Sequence, residues 1–181
     1  MKIRKLIACL FAFASVSLVQ GQNERQQFIR VDAPQVLLQH VRIVDGTGAA
    51  PMEDQAILIS GGKISIVGPV AAVTVPTGTK TLDLTGYTVL PGLVGMHNHL
   101  FFPMGGNPPI YSSMGISFPR LYLALGVTTI RTTGSVAPYT DLEIKRLIDT
   151  GKMIGPKMDV TAPYFEGEGS FTPVMHTLKG A

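Results

Sequence analysis

Pro91-Gly92-Leu93-Val94-Gly95-Met96-His97-Asn98-His99-Leu100 reads as a β-strand. Alternate side chains of a strand share a face. Gly95, His97 and His99 then fall on one side. Val94 and Met96, with Asn98 beyond them, fall on the other, which is apolar and suited to lie under helices. The first side ends in two imidazoles roughly 6–7 Å apart along the strand, close enough for both rings to turn toward one ion. Neutral imidazole nitrogens hold a divalent metal at about 2.0–2.1 Å. Two unrelated histidines would give the same short pattern, so the flanking sequence has to decide.

Downstream, a Pro- and Gly-rich loop is expected over 102–115. A helix around 118–125 follows, with Gly126 placed to end it. Val127-Thr128-Thr129-Ile130-Arg131 is a second strand. Thr140-Asp141-Leu142-Glu143 has the capping-box form. It opens a helix on which Ile144, Leu147 and Ile148 share a face, closing at Gly151. Met158-Asp159-Val160-Thr161 is a third strand. The order β-α-β-α-β predicts a parallel sheet with crossover helices, an α/β architecture. In such folds the loops beyond the carboxyl ends of the strands carry the chemistry. His97 and His99 stand at such an end, which favours the metal reading.

Upstream, 36–38 and 40–44 are short β-rich runs, followed by the turn cluster Asp45-Gly46-Thr47-Gly48. Residues 56–60 and 63–67 flank Gly61-Gly62. Two apolar strands around Gly-Gly make a two-residue hairpin, because both central residues must accept positive φ. Thr81-Leu82-Asp83-Leu84 adds another strand. Residues 36–85 thus read as a small antiparallel β unit.

The first 21 residues have a different character. Lys2, Arg4 and Lys5 precede an apolar run over 6–19 and a small-residue exit at Gly21, the pattern of a cleaved secretory signal peptide. The run is short for a membrane span. A secreted or periplasmic location is the expectation, with no membrane span in the mature chain. Those three basic residues account for the whole net charge of +3, leaving 12 basic against 12 acidic residues. No basic patch follows, so the sequence gives no support for nucleic-acid binding. Cys9 is the single cysteine and would leave with the signal, so a metal site must use histidine and carboxylate.

Gly61-Gly62-Lys63-Ile64-Ser65-Ile66-Val67-Gly68, then the Pro91–Leu100 motif, then Gly126-Val127-Thr128-Thr129-Ile130-Arg131 resemble, in order and spacing, the amidohydrolase superfamily. The secreted branch near the imidazolonepropionase-like and prolidase-like enzymes is the most similar. The resemblance covers nearly all of the mature chain. It implies a split β-sandwich domain beside a (β/α)8 TIM barrel whose first strand carries His97 and His99 as ligands of a divalent metal, usually zinc. It implies hydrolysis of an amide or related C–N bond of a small molecule or short peptide by a metal-activated hydroxide. The family's remaining ligands and its catalytic aspartate lie on later barrel strands and have no counterpart here.

The expected organisation is a signal peptide at 1–21, a lead-in at 22–35, the amino-terminal half of a β-sandwich at 36–90, and a partial barrel of about three strands at 91–181. A complete barrel takes about 250 residues, against about 90 here. The chain therefore reads as the amino-terminal piece of an enzyme, inactive alone. The alternatives are a non-catalytic remnant or binding module of the same fold, and an unrelated secreted metal-binding protein.

Among other residues, Arg131 could hold a substrate carboxylate or serve as a salt-bridge residue at the barrel rim. Many relatives carry an acidic residue after that arginine, where this chain has Thr132. Phe101 and Phe102 could wall a pocket or fill the core. His40, His176, Glu166 and Glu168 read first as structural or solvated residues. Poor solubility is expected, because an unclosed barrel exposes strand edges and apolar faces, and the oligomeric state is left open between monomer and oligomer.

Overall fold

A computed structural model describes residues 26–107, 109–168 and 176–179; the expected signal peptide lies outside these. The chain divides into two compact units, Met1–Pro91 and Gly92–Ala181.

The first unit is one mixed sheet built on β1 (Gln35–Ile43). Strand β2 (Met52–Ser60) pairs antiparallel with β1, and β3 (Lys63–Pro69) pairs antiparallel with β2. Gly61 and Gly62 turn the hairpin at φ 56° and 74°, as the Gly-Gly spacing predicts. The remaining strands correct the antiparallel expectation. β4 (Lys80–Asp83) and β5 (Thr88–Val89) both run parallel to β1. The chain leaves β3, crosses past β2 through a short 3-10 turn at Val70–Ala72, and comes down on the far side of β1. A parallel neighbour needs a crossover of that kind, since a hairpin delivers an antiparallel one.

The two runs read at 36–38 and 40–44 are one strand interrupted at His40. His40 has φ 58° and Asp54, on β2, has φ 50°. Between the pairs Leu38↔Ile57 and Val41↔Gln55, β1 spends one extra residue. Between Val41↔Gln55 and Ile43↔Met52, β2 spends one. These are two compensating bulges, tied by His40 Nδ1 to Asp54 Oδ1 at 2.7 Å. The bulge moves Val41 and Ile43 onto the face of Leu38. They pack with Ile57, while Leu37, Ala56 and Leu58 form a separate cluster. The sheet consequently buries apolar side chains on both faces.

In the second unit, β6 (Leu93–Asn98), β9 (Val127–Thr132) and β10 (Lys157–Asp159) form a parallel sheet in the order β10-β9-β6. Helices α1 (Ser117–Ala124) and α2 (Pro138–Asp149) supply the two crossovers. Ile130, Met158, Leu100 and Ile144 make the core, with Phe118, Tyr122 and Ile148 packed on it. Residues of the other parity, Arg131, Lys157 and Asp159, are exposed.

Three expectations change here. The 102–115 loop contains a hairpin, β7 (Phe101–Met104) with β8 (Ile110–Ser113). Phe101 and Phe102 pair there with Ser113 and Ser112, and Pro103, which an edge strand accommodates, stands opposite Tyr111. Helix α2 begins at Pro138, ahead of the capping box, because proline's fixed φ and missing N–H suit the first helical position. Finally, Val94 and Met96 are not under helices among the described residues; they are 57% and 59% exposed. Gly126 and Gly151 do end their helices in the left-handed conformation, at φ 80° and 69°.

Candidate metal centre and its aromatic wall

Strand β6 ends irregularly. Between the pairs Gly95↔Ile130 and Asn98↔Thr132 it spends three residues against two of β9. This bulge breaks the simple alternation expected from the sequence. Asn98 turns back onto the face of Gly95, where a Cβ on the glycine would meet the Asn98 amide nitrogen at 2.4 Å. The bulge nevertheless leaves the two imidazoles together. The His97 and His99 ring centroids are 5.2 Å apart with the planes at 86°.

His99 is held from two sides. Tyr164 Oη lies 3.2 Å from its Nδ1, and Tyr122 Oη donates to its backbone carbonyl at 3.1 Å. Tyr164 reaches the ring because Gly134, at φ 89°, has no side chain; a Cβ there would meet the tyrosine ring at 2.3 Å. Burial lowers the His99 pKa below its ordinary value, with His97 adding to the effect and a Gly134 backbone hydrogen bond and Asp141 opposing it. The neutral form thus favoured is the form that binds metal.

As a donor set, two neutral imidazoles suit a divalent ion. They are part of a ligand set and not a whole one, since catalytic sites take three protein ligands or more. Among the described residues no group of three His, Cys, Asp or Glu stands close enough to hold an ion.

A cavity of about 520 Å³ opens beside the pair. Phe101, Phe102, Tyr111, Phe118, Tyr122 and Tyr164 wall it, with Pro103 and Asn98 completing the lining. Of the residues singled out in the sequence, His97, His99, Phe101 and Phe102 come together here. Arg131 does not; its Nε lies 3.6 Å from Asp159 Oδ2 on the adjacent strand. Glu166 is half-buried on β11 (Phe165–Glu166) and Glu168 is exposed, and neither lines the cavity. His176 begins β12 (His176–Thr177), parallel to β11. His40 belongs to the bulge of the first unit.

Thr132 is fully buried and ties the strand ends together. Its Oγ1 accepts from Thr161 N at 2.8 Å, and Thr161 Oγ1 accepts from Gly134 N at 2.9 Å. Tyr111, Tyr122, Tyr164 and Gly134 carry no motif in the sequence. Their one common signal is placement, in loops and a helix that follow the carboxyl ends of parallel strands.

No family model matches the chain. Over 63 residues it is 41% identical to an N-substituted formamide deformylase from Arthrobacter pascens, 34% of this chain and 11% of that protein. Over 48 residues it is 52% identical to an imidazolonepropionase from Deinococcus radiodurans, 26% of this chain and 12% of that one. In structure it is similar to a prolidase candidate from Bifidobacterium longum, with TM-score 0.66 and 30% identity over 81% of this chain and 35% of the other. The imidazolonepropionase and prolidase likenesses agree with the motifs and support an amino-terminal part of an amidohydrolase-superfamily protein. It spans about a third of the solved structure and a smaller share of the curated relatives.

Proposed function

We propose that this chain is the amino-terminal portion of a secreted or periplasmic metal-dependent hydrolase acting on C–N bonds of amide or peptide-like type. Its second unit is read as the opening three strands of a (β/α)8 barrel, and its first as half of a β-sandwich. His97 and His99 would hold a divalent metal, zinc in the first instance. Bound there, the metal would supply an activated water and polarise a carbonyl. The chain's own contribution is to fix the ligands: Tyr164 orients the His99 ring, Tyr122 anchors its backbone, and burial shifts its pKa toward the neutral form. Arg131 is the candidate for a substrate carboxylate, at the cost of leaving Asp159.

The observation that carries this reading is the imidazole pair, 5.2 Å between ring centroids, at the carboxyl end of a parallel strand in a chain similar to this superfamily. With two ligands present, the chain alone is expected not to turn over. Zinc titration of the full chain by calorimetry should show binding that the His97→Ala/His99→Ala variant loses. Unchanged zinc affinity in that variant would refute the ligand assignment. Zinc-dependent cleavage of an N-substituted formamide or a Xaa-Pro dipeptide by this chain would refute its inactivity.

A further inference from the structure

The cavity beside the imidazole pair has a composition that selects among amide substrates. Six of its ten lining residues are Phe or Tyr, and none is acidic, lysine or arginine. The two histidines apart, no lining side chain carries or takes up a charge near neutral pH.

The tyrosines make the wall less polar than their hydroxyls suggest. Two of the three hydroxyls are engaged with His99, Tyr122 at its carbonyl and Tyr164 at its Nδ1. What those two residues offer the cavity is ring surface. Phe101 stands at the centre of the wall, edge-on to Tyr111 with centroids 5.4 Å apart and to Tyr164 at 6.4 Å. It lies 4.7 Å from His99. Aromatic edges and faces are thus presented together, the arrangement that receives another ring. Two more lining rings, Phe118 and Tyr122, are braced against the buried core. Phe102, on the β7–β8 hairpin, is 54% exposed. A volume near 520 Å³ is in the range of small-molecule sites, about 300–1,000 Å³.

We infer that this cavity receives the neutral aryl group of a small amide substrate, next to the metal ligands. The inference rests on the hydrolase reading for the word substrate, but the aryl preference belongs to the wall itself and needs no metal.

The test uses the full chain without added metal and two probes, N-acetyl-L-phenylalaninamide and N-acetyl-L-alaninamide. Binding is read by ligand-observed NMR. The phenyl probe should bind about tenfold more tightly than the alanyl probe. Phe102→Ala, at an exposed position, should erase most of that ratio, and Tyr111→Ala should do the same. Tyr139→Ala, at an exposed aromatic outside the lining, should retain it. Equal affinity of the two probes, absence of saturable binding, or a ratio untouched by both wall variants would overturn the proposal. Loss of the ratio in the Tyr139 variant would also overturn it. Zinc titration is a separate readout, so a failed metal assignment with the aryl preference intact is distinguishable from a failed aryl site.

Discussion

His99 is governed by one tyrosine ring and the glycine that admits it. Burial lowers its pKa from the ordinary 6.5, and Tyr164 is part of that cover. Tyr164→Ala opens the ring to water, so His99 should titrate closer to 6.5 in NMR; an unmoved titration would show that Tyr164 does not shield it. Gly134→Ala should act the same way, since its methyl cannot share space with the tyrosine. Asp141 is a second residue whose environment sets its charge. It is 5% exposed, and burial raises its pKa above 3.8, while a Ser135 hydrogen bond and His99 pull it back. The folded state therefore holds this proton more tightly than the unfolded chain. Stability from this group is full below 3.8 and is lost as pH rises from there through the raised folded value. Urea unfolding should show that fall, and Asp141→Asn should flatten it. A fall of the same size in the variant would assign it to another group.

At the scale of elements, the hairpin and the helix ends were legible because each rests on a local backbone demand. Gly61-Gly62 names its turn through positive φ, and Gly126 and Gly151 name helix ends in the same way. Gly61→Ala should cost about 1 kcal/mol in chemical denaturation. Gly68→Ala should cost little, since Gly68 lacks positive φ and a Cβ there meets nothing. Equal losses at both positions would argue against the turn as the cause. What the sequence concealed was non-local. The parallel placement of β4 depends on a crossover, and nothing within Lys80–Asp83 records which neighbour it takes. The capping box at Thr140 was a sound local signal overruled by Pro138. The site was half legible: His97 and His99 share a short spacing, whereas Tyr164 meets His99 across 65 residues.

At the scale of the molecule, β6 lies at the end of its sheet, with Leu93, Val94 and Met96 all more than half exposed. An exposed apolar edge strand invites pairing with another chain. Sedimentation should show concentration-dependent association, reduced in a Val94→Lys/Met96→Lys variant. A monomer at all concentrations would mean the edge is covered. No helix among the described residues is long and apolar enough to cross a membrane, so these side chains do not belong to a helical span.

The paired bulges of the first unit give the chain an unequal tolerance to two kinds of genetic change. His40 is the extra residue that the bulge absorbs, which keeps Val41 and Ile43 on the face of Leu38. Asparagine, which accepts positive φ, should serve there at small cost, measured as a denaturation midpoint near that of the parent. Losing the codon altogether would leave Val41 two positions after Leu38, on the same face and with the pairs Leu38↔Ile57 and Val41↔Gln55 kept. A His40→Val change, which forces a β-branched residue to positive φ, should therefore lower the denaturation midpoint more than a three-nucleotide deletion of the same codon.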